Sequence, residues 1–452
     1  MLVRNSVVNS FPIYDGNQTV NGIDSTTITA TTAGFRMAHA TNARADILFS
    51  SGLNYRQFPW VVVVYRAINR NNAQYWQLRM GKSPTVTTDD LFDRVDDNVL
   101  NILLNYPDMD NSEWITAVYP TTSFNSPAQM SAAEASKVRS FRISMESGVR
   151  TGPVDFEVKS ITLAQFRPIV CLGTDDAFAG DYSVIYQGIQ ESGITSIPFY
   201  HAIPTRAIQM GTGPGAGGYL TGSGAVALSL AQMQEMAQSG VHQFVNHTHQ
   251  HASLANDIPD NLTTVAEPQT LTTTPTDQPS SYGGGSFAFS ACTEGGSISA
   301  GQRAAVEYEI NTARTLLQGW GLDTNNSASI LVSPYGRYNS DVIRIAKDNG
   351  FIAHRTADPE VSRNFDIPGS SPYLMKGRLG LNLASLDARI QEGIMRGSGM
   401  FSPFGHGTAA AEKEPFKMLL RKWDAQQKAG LVRFVSATEY VSLMNTVGGV
   451  VL

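Results

Sequence analysis

Two short runs of acidic and imidazole side chains stand out because each follows an apolar stretch of the chain. Asp175 and Asp176 come after the run IVCLGT, and His247, His249 and His251 come after VHQFVN. An aspartate pair is most often a solvated turn or a helix cap. Three of the chain's eight histidines within five residues are harder to explain as surface residues. Since imidazole is the commonest metal ligand, these histidines indicate a metal site.

The spacing of the outer two histidines is that of a ligand pair. His247 and His251 are four residues apart. If the segment turns as a helix, both imidazoles lie on one face and bind one ion while His249 points elsewhere. Asp176 then completes a site that leaves positions open for water and substrate, and Asp175 is free for proton transfer. We expect Zn²⁺ there, with Co²⁺ and Ni²⁺ as alternatives.

The elements that must position these residues alternate between strand and helix after residue 166. Strand patterns lie at 168–172, 194–201, 241–246, 328–332, 351–354, 400–403 and 431–437. Helical patterns lie at 179–192, 228–239, 300–318, 340–349, 386–396 and 414–429. About seven βα units predict a parallel sheet that closes, or nearly closes, into a barrel. Such a barrel carries its chemistry in the loops that follow the strands, where both motifs lie.

The N-terminal part has a different rhythm and almost no helical periodicity. Strand patterns occur at 60–68, 75–80, 140–145 and 155–166, the last interpreted as a strand pair. They predict an antiparallel β-sandwich or jelly roll. The 452 residues therefore fit two domains, 1–165 and 166–452.

The final strands of the N-terminal domain resemble those of jelly-roll carbohydrate-binding modules. The resemblance implies a domain that binds carbohydrate, and the alternative is assembly into a homo-oligomer. Aromatic side chains on such a domain stack on sugars when exposed, although in strands they belong more often to the core. The candidates are Trp60, Tyr65, Tyr75, Trp76 and Trp114.

Composition narrows the class of protein. With 42% apolar residues, 16% charged residues and a net charge of -6, the chain is typical of a globular protein without a nucleic-acid partner. No apolar run is long enough for membrane insertion. The N-terminal residues lack a signal-peptide pattern, so contact with an extracellular polysaccharide would follow lysis, another secretion route or incorporation into a virion. Cys171 and Cys292 are too few for a disulfide framework.

Two segments interrupt the strand and helix alternation. Residues 211–224 contain a GxGxxG match, but Pro214 lies inside it and no acidic partner follows at the right distance. A dinucleotide site is therefore disfavoured and a mobile active-site loop is favoured. Residues 256–299 are rich in Thr, Pro, Asp, Ser and Gly, and predict a lid, a substrate-contacting insertion or a partly disordered loop.

Taken in order, the motifs TDD, NHTHQH, SPYG and a late histidine resemble the polysaccharide deacetylases of the NodB-homology type, carbohydrate esterase family 4, over about residues 166–446. The resemblance implies a distorted seven-stranded (β/α) barrel. It implies that Asp175 is the general base and Asp176 a metal ligand. His247 and His251 are then the other ligands, and Thr248 is the small hydroxyl residue between them.

The third motif of that family matches ILVSPYG and departs from the family at one position. The resemblance implies that the backbone N–H of Tyr335 helps to hold the oxyanion and that Pro334 shapes the turn. The family arginine that orients the catalytic aspartate is replaced by Val332. Either the activity is weak or another arginine substitutes from a different loop. The candidates are Arg337, Arg355 and Arg378.

The last motif matches MFSPFGHG, which makes His406 the implied general acid. The motif that usually comes before it, a tryptophan and aspartate pair, is not recognisable. Asp358 and Arg378 are its nearest counterparts. Pro334, Arg337 and Arg378 are the predicted substrate-binding residues.

The resulting hypothesis is a metal-dependent hydrolase that removes acetyl groups, most simply N-acetyl and alternatively O-acetyl, from a polysaccharide. A rival is a non-catalytic glycan-binding protein, such as the receptor-binding end of a phage tail fibre, built on a decayed deacetylase scaffold. Val332 and the unrecognisable tryptophan and aspartate motif favour that rival, and the retained acidic and histidine residues oppose it. A serine esterase is a second rival, but the GxSxG elbow typical of that class is missing from the sequence.

Overall fold

The computed structural model separates the chain into two compact units, with the boundary between Phe166 and Arg167. It describes residues 7–16, 18–23, 25–67, 75–81, 91–97, 114–121, 138–146, 153–211, 226–252, 254, 300–336, 338, 340–355, 365–366, 371–375, 377–379, 382–406 and 409–445.

The first unit is built from β-strands. They are β1 (Val7–Tyr14), β2 (Val20–Ile23), β3 (Thr27–Ala30), β4 (Phe35–His39), β5 (Asn42–Leu53), β6 (Trp60–Ala67), β7 (Tyr75–Gly81), β8 (Leu91–Asp97), β9 (Ile115–Pro120), β10 (Val138–Glu146) and β11 (Val154–Phe166). One antiparallel sheet has the order β3-β4-β11-β6-β9, with β1 also paired to β11, and the other has the order β2-β5-β10-β7-β8. In the residues of the N-terminal part that the structure describes, the predicted β-strand character is confirmed.

The last strand of this unit differs from its prediction. Residues 155–166 were expected to form a strand pair, but Val154–Phe166 is one strand. Its pairing with β6 shifts register between Val158 and Ser160. Its first half pairs with β4 and its second half with β1, which is why one long strand can carry two sets of neighbours.

The aromatic residues of this unit lie mainly in its interior. Trp60 and Tyr65 are fully buried on β6, among a run of valines that suits a strand covered on both faces. Trp114 is partly buried, and the Arg66 guanidinium lies 4.8 Å from the centre of its ring. The side chains of Tyr75 and Trp76 lie outside the described set. The core interpretation therefore holds for Trp60 and Tyr65.

The second unit alternates strands and helices. Its strands are β12 (Ile169–Val170), β13 (Leu172–Asp175), β14 (Phe199–Ile203), β15 (His242–Asn246), β16 (Ile330–Val332), β17 (Ala353–Arg355), β18 (Gly377–Leu379), β19 (Met400–His406) and β20 (Arg433–Phe434). Its helices are α1 (Gln187–Ser192), α2 (Thr205–Met210), α3 (Leu230–Gln238), α4 (Ala300–Gly319), α5 (Ser340–Asp348), α6 (Leu383–Arg396), α7 (Lys413–Lys428) and α8 (Ala437–Met444). A π-helical segment, Asp181–Tyr186, leads into α1.

The strands of this unit form one sheet in the order β17-β16-β15-β14-β13-β19-β12-β20, with β18 paired to β19. All of these pairings are parallel. An isolated parallel bridge joins Arg355 of β17 to Met375, two residues before β18. The predicted parallel α/β sheet is therefore present, while its closure into a seven-stranded barrel stays a prediction.

Several element boundaries differ from the sequence patterns. The expected strand at 194–201 begins only at Phe199, because Pro198 has no backbone N–H to donate to a neighbouring strand. The expected strand at 168–172 is split at Cys171 into β12 and β13. Helix α8 was not predicted. It begins at Ala437, and the Ser436 side chain caps it by accepting from Glu439 N, where the sequence pattern had extended a strand to residue 437.

The sequence also led to predictions about membrane spans, the two cysteines and the two interrupting segments. None of the helices in the described part of the chain combines the length and apolar character needed to span a bilayer. Cys171 is a free, buried cysteine, and Cys292 lies outside the described residues. Residues 212–225 and 255–299, which include nearly all of the two interrupting segments, also lie outside them.

Candidate metal centre and active site

The aspartate pair lies at the C-terminal end of β13, where the chain turns sharply out of the sheet. Asp175 is the last residue of the strand, and its side chain is buried. Asp176 and Ala177 follow with φ of 77° and 56°, a left-handed conformation that residues with a side chain rarely adopt. Such strain persists only when the surroundings enforce it, and it is common at functional sites.

The histidine segment lies at the end of β15 and is not the helical turn expected from its spacing. Residues 247–251 form a loop in which Thr248 has φ of 62° and His251 has φ of 56°. The loop nevertheless turns both imidazoles inward. His247 Nε2 lies 3.4 Å from Asp176 Oδ1, and His251 Nε2 lies 3.0 Å from the same oxygen. The pair converges because of the backbone turn, so the helical reason given for the spacing was wrong.

These three side chains, Asp176, His247 and His251, form the metal-side cluster. Their ligand atoms lie within 4.8 Å of one another. Asp176 Oδ1 is buried and makes no hydrogen bond of normal geometry to any residue that the structure describes. Two imidazole nitrogens around one carboxylate oxygen suit a zinc-like divalent ion, so the residues present fit the expected group.

The tautomer of His247 also fits a metal ligand. Its Nδ1 lies 2.9 Å from the carbonyl oxygen of Val332. A carbonyl oxygen only accepts, so Nδ1 carries a hydrogen, and Nε2, which faces Asp176, is the nitrogen that would bind an ion. A hydrogen bond of this kind on the far nitrogen is the usual support of a metal-binding histidine.

The charge states of the cluster suit metal binding as well. Burial disfavours the charged form of Asp176, but His251, His247 and His406 together hold the pKa of its carboxyl well below the usual value. Burial lowers the pKa of His251, and the Asp176 carboxylate opposes that shift. An ionised aspartate beside a neutral imidazole is the form in which both side chains bind metal.

His249 takes a different direction from its two neighbours. Its Nδ1 lies 2.8 Å from Thr205 Oγ1, and its ring stands edge-on to Tyr308. It is absent from the group of converging ligand atoms. The middle histidine of the motif therefore packs the loop against α2 and α4.

Arg355 is the arginine that contacts Asp175. Its Nη2 donates to Asp175 Oδ2 at 2.6 Å, and its Nη1 donates to the hydroxyl of Tyr200 at 3.0 Å. The guanidinium is almost fully buried and lies 3.6 Å from the centre of the Phe404 ring. Burial opposes its charge, but Asp175 and Tyr200 raise the pKa of the guanidinium. The ion pair fixes the Asp175 carboxylate at the C-terminal end of β13.

The register of the sheet explains how Arg355 of β17 reaches Asp175, although the arginine of the deacetylase motif would lie at position 332 on β16. Val332 of β16 and Arg355 of β17 are paired in neighbouring parallel strands. Paired residues in adjacent strands direct their side chains to the same face of the sheet. Arg355 thus lies one strand to the side of the position that Val332 occupies. Arg337 lies outside the described residues, as does the side chain of Arg378, whose backbone belongs to β18.

His406 lies beside both aspartates. It is the last residue of β19 and is paired in register with Asp175. Its Nε2 lies 3.9 Å from Asp176 Oδ2, and its side chain is 41% exposed. It is the exposed member of the group, so an incoming substrate can reach it.

The PYG motif forms a single 3₁₀ turn, Pro334–Gly336, directly after β16. Gly336 has φ of 65°, and its N–H donates to Ser333 O at 3.1 Å. Ser333 Oγ in turn donates to Nε2 of the buried His354 at 2.7 Å. The backbone of Tyr335 lies in this turn, and its side chain lies outside the described set. Asp358 also lies outside the described residues.

A second buried histidine group was not anticipated. It contains Thr174, Asp181, His201 and His242, and we refer to it as the hydrogen-bonded cluster. His201 lies 3.2 Å from Asp181 Oδ2 through Nδ1 and 2.9 Å from His242 Nδ1 through Nε2. Polar residues inside the apolar strand runs FYHAI and HQFVN were the only sign of it in the sequence.

Comparison with known proteins supports the family suggested by the motifs. Residues 213–354 match the sequence model of the polysaccharide deacetylase family. No curated protein sequence matches the chain. Among solved structures, the Streptococcus pyogenes deacetylase PplD in complex with acetate is 17% identical, with 42% of this chain and 56% of that chain covered and a TM-score of 0.26. The chain therefore spans little more than half of that enzyme.

Two further structures are similar to different parts of the chain. The BpsB deacetylase domain from Bordetella bronchiseptica is 19% identical, with 57% of this chain and 76% of that chain covered and a TM-score of 0.32. The family 11 carbohydrate-binding module of a Clostridium thermocellum cellulase is 15% identical, with 35% of this chain and 95% of that chain covered and a TM-score of 0.24.

The matched segment contains His247, His251 and the PYG turn, whereas Asp175, Asp176 and His406 lie outside it. The resemblance to the polysaccharide deacetylases that the motifs indicate is thereby confirmed over residues 213–354.

Proposed function

We propose that this protein is a metal-dependent hydrolase that removes acetyl groups from a polysaccharide, most simply the N-acetyl group of a hexosamine. The observation that carries the proposal is the juxtaposition of two different carboxylates. Asp176 lies with two imidazole nitrogens, and its neighbour Asp175 is bound by Arg355 instead. This arrangement supports one aspartate as an ion ligand and the other as a proton acceptor.

In the proposed reaction a water attacks the acetyl carbonyl and the bond from that carbon to the sugar nitrogen breaks. Asp176, His247 and His251 would hold a divalent ion, with zinc expected and cobalt or nickel as alternatives, and that ion would supply polarisation of the carbonyl and a lower pKa for water. Asp175 takes the proton of the attacking water, and Arg355 keeps its carboxylate in place.

The remaining roles follow the family motifs. The backbone N–H of Tyr335 donates to the developing oxyanion, and Pro334 shapes the turn that presents it. His406 donates a proton to the leaving nitrogen, which its exposure and its position beside Asp176 allow. Arg337 and Arg378 contact the substrate. We also propose that the sheet closes into a distorted seven-stranded barrel, for which the bridge between Arg355 and Met375 and the pairing of β18 with β19 are the support.

The glycan-binding alternative rested on Val332, which removes the family arginine. The Arg355 contact with Asp175 supports catalysis instead, because it supplies a guanidinium to the same carboxylate. For the first unit we propose polysaccharide binding, with homo-oligomer assembly as the alternative. We propose that the protein acts outside the cell or on a virion. Deleting residues 1–165 separates the roles of the first unit, since targeting predicts lost polymer binding with retained activity on small substrates, and assembly predicts a change in oligomer mass.

The test of the proposed function is acetate release from N-acetylated and O-acetylated polymers, with and without a chelator, followed by addition of Zn²⁺, Co²⁺ or Ni²⁺. We expect release that the chelator abolishes and one of the metals restores. No release from either polymer with any of the three metals would contradict the proposal and favour the glycan-binding alternative.

The Asp175→Asn variant tests the role of the base. It keeps the size of the side chain and removes the proton acceptor, so we expect metal affinity to be retained and turnover to fall about 10²–10⁴-fold. Asp348→Asn is the matched control, because Asp348 is a surface carboxylate paired with Arg303. Acetate release by Asp175→Asn at the wild-type rate would show that another group is the base.

A further inference from the structure

Glu309 is a carboxylate in the interior of the second unit. It lies on α4, and only 2% of the residue is exposed. Carboxylates are almost never fully buried unless they are paired, because burial removes their hydration. Burial raises the pKa of Glu309 to about 7, although hydrogen bonds from the backbone of Gln250 and His249 oppose the shift. Because burial of a carboxylate is unfavourable, the position of Glu309 requires a structural or functional reason.

The contacts of Glu309 are with the histidine loop. Its Oε2 accepts from the backbone N–H of Gln250 at 2.8 Å. Gln250 is the residue before His251, so the bond fixes the backbone at one end of the loop. The next helical residue holds the other end, because the carbonyl oxygen of Ile310 accepts from Asn246 Nδ2 at 2.8 Å. One turn of α4 therefore contacts the segment immediately before His247 and again immediately before His251.

The loop needs this support because its backbone is unfavourable by itself. Thr248 and His251 both have positive φ, a conformation that is unfavourable for a residue with a side chain. Hydrogen bonds within the loop offset part of the unfavourable backbone conformation. Thr248 N donates to Asn246 Oδ1 at 2.9 Å, and Ala252 N donates to Thr248 Oγ1 at 3.2 Å. Among the described residues, Glu309 is the carboxylate that supports the backbone of this loop from outside it.

We propose that Glu309 is a positioning residue that holds the His247–His251 loop in its left-handed conformation, so that both Nε2 atoms converge on Asp176 before an ion binds. The proposal rests on the metal site of the proposed function. Glu309 is not one of the converging ligand atoms and acts through the Gln250 N–H. Its effect is preorganisation, which a metal-binding site gains from the groups that orient its ligands.

The experiment compares Glu309→Ala, Glu309→Gln and Glu309→Asp with the wild type. Zinc affinity is measured by competition with a chromophoric chelator. Hydrogen exchange of the amides in residues 246–252 is measured by mass spectrometry on the metal-free protein. We expect Glu309→Ala to lose about 10–100-fold in zinc affinity and to exchange faster in this segment. At saturating zinc its kcat and KM should return to within a few-fold of the wild-type values.

The conservative variants separate positioning from a general loss of stability. Glu309→Gln keeps an acceptor oxygen at the same reach and should bind zinc within about threefold of the wild type. Glu309→Asp keeps the charge but is one methylene shorter, so it should lose affinity as Glu309→Ala does. If Glu309→Ala does not fold, the difference between Gln and Asp carries the test.

The matched control is Glu307→Ala on the same helix. The Glu307 carboxylate accepts from Arg303 Nε at 2.9 Å and makes no described contact with the histidine loop. It should keep wild-type zinc affinity and wild-type exchange in residues 246–252. Wild-type zinc affinity in folded Glu309→Ala, or in both Glu309→Gln and Glu309→Asp, would overturn the proposal, as would an equal loss in Glu307→Ala.

The outcome is separable from that of the proposed function. Zinc affinity and amide exchange need no acetylated substrate, so Glu309 can prove to be a positioning residue in a protein that releases no acetate. Conversely, the wild type can release acetate while the Glu309 variants keep wild-type zinc affinity. That result would support the proposed function and overturn this inference. A wild-type protein that binds no zinc would overturn the metal site and this inference together.

Discussion

Two buried groups in the second unit, each with two histidines and one aspartate, have opposite arrangements. In the metal-side cluster, both histidines direct Nε2 towards one oxygen of Asp176. In the hydrogen-bonded cluster, His201 has a partner at each ring nitrogen, Asp181 at one and His242 at the other. Side-chain type and burial are nearly the same in both, so neither property distinguishes a metal site from a structural network.

The difference lies in the direction of the lone pairs and in the backbone. Asp176 and His251 have positive φ, whereas Asp181, His201 and His242 do not. In the hydrogen-bonded cluster, Thr174 Oγ1 also donates to Asp181 Oδ2 at 2.6 Å, so the side chains form one hydrogen-bonded chain, although Asp181 Oδ1 and His242 Nε2 have no partner among the described residues. A strained backbone that turns ligand atoms towards one point is typical of a ligand site, and a chain of side chains bonded to one another is typical of a packed core.

The strongest test of this comparison removes one histidine from each cluster. His251→Ala should lose zinc binding by more than the roughly 100-fold that follows loss of a supporting residue, because a ligand itself is gone. Acetate release should fall with it. His242→Ala should keep zinc affinity within about threefold and lower the melting temperature. Titration with zinc and a competing chelator measures both variants, and the reverse pattern would exchange the roles of the two clusters.

The second test concerns the ion pair beside the metal-side cluster. Arg355→Met removes the cation that holds Asp175 and should lower kcat about 100-fold, since correct placement of a general base is worth this much or more. Zinc affinity should not change, because Arg355 contacts none of the ligand atoms described. Acetate release at saturating zinc measures the effect.

A matched arginine sharpens that result. Arg314→Met removes a guanidinium that lies 4.6 Å from the centre of the Phe351 ring and donates to Asn349 O, away from the aspartate pair. It should leave kcat at the wild-type value. An equal fall in both variants would mean that the Arg355 effect is a general loss of packing.

The third test addresses the hydrogen-bonded cluster directly. His201→Ala removes its central member and leaves Asp181 and His242 without their shared partner, so the free energy of unfolding should fall by about 3 kcal/mol. Denaturant unfolding measures this loss, and zinc affinity should stay within about threefold. A large fall in zinc affinity with unchanged stability would place this cluster in the functional site.

The smallest effect is a pH dependence from His354, a buried histidine outside both clusters. His354 resembles the hydrogen-bonded cluster, since Ser333 and the carbonyl of Tyr373 contact its two ring nitrogens. Burial lowers its pKa from 6.5 to about 4, so between these values the unfolded state binds the proton more tightly. The stabilisation is therefore complete above pH 6.5 and is lost as the pH falls towards 4.

Between pH 7 and pH 5 the loss from this group should be about 1.5–2 kcal/mol. The measurement is the free energy of unfolding of the wild type and of His354→Gln at both pH values, because the variant lacks the titrating group. We expect the wild type to lose more stability than the variant. Equal losses would show that His354 is not buried in its neutral form.

Much of the fold follows from patterns local in the sequence. Runs such as VHQFVN and IVCLGT are apolar enough to be strands, and the alternation with amphipathic helices is a parallel α/β pattern. The two motifs could be placed at strand ends for the same reason. The HxxxH spacing predicted that His247 and His251 act as a pair, and both lie near one oxygen of Asp176. A helix was the wrong explanation, because the contacts of α4 with the loop are distant in sequence.

Sequence by itself determined which residue types were available and at which strand ends they lie, since both depend on neighbours along the chain. The tertiary structure decided that Arg355, and not Val332, is placed against Asp175, a partner 180 residues away. Such a contact depends on which strands are neighbours and on their register, and the sequence states neither. It also decided which two of the buried histidines converge with an aspartate, because convergence depends on the backbone turn that the surrounding helices enforce.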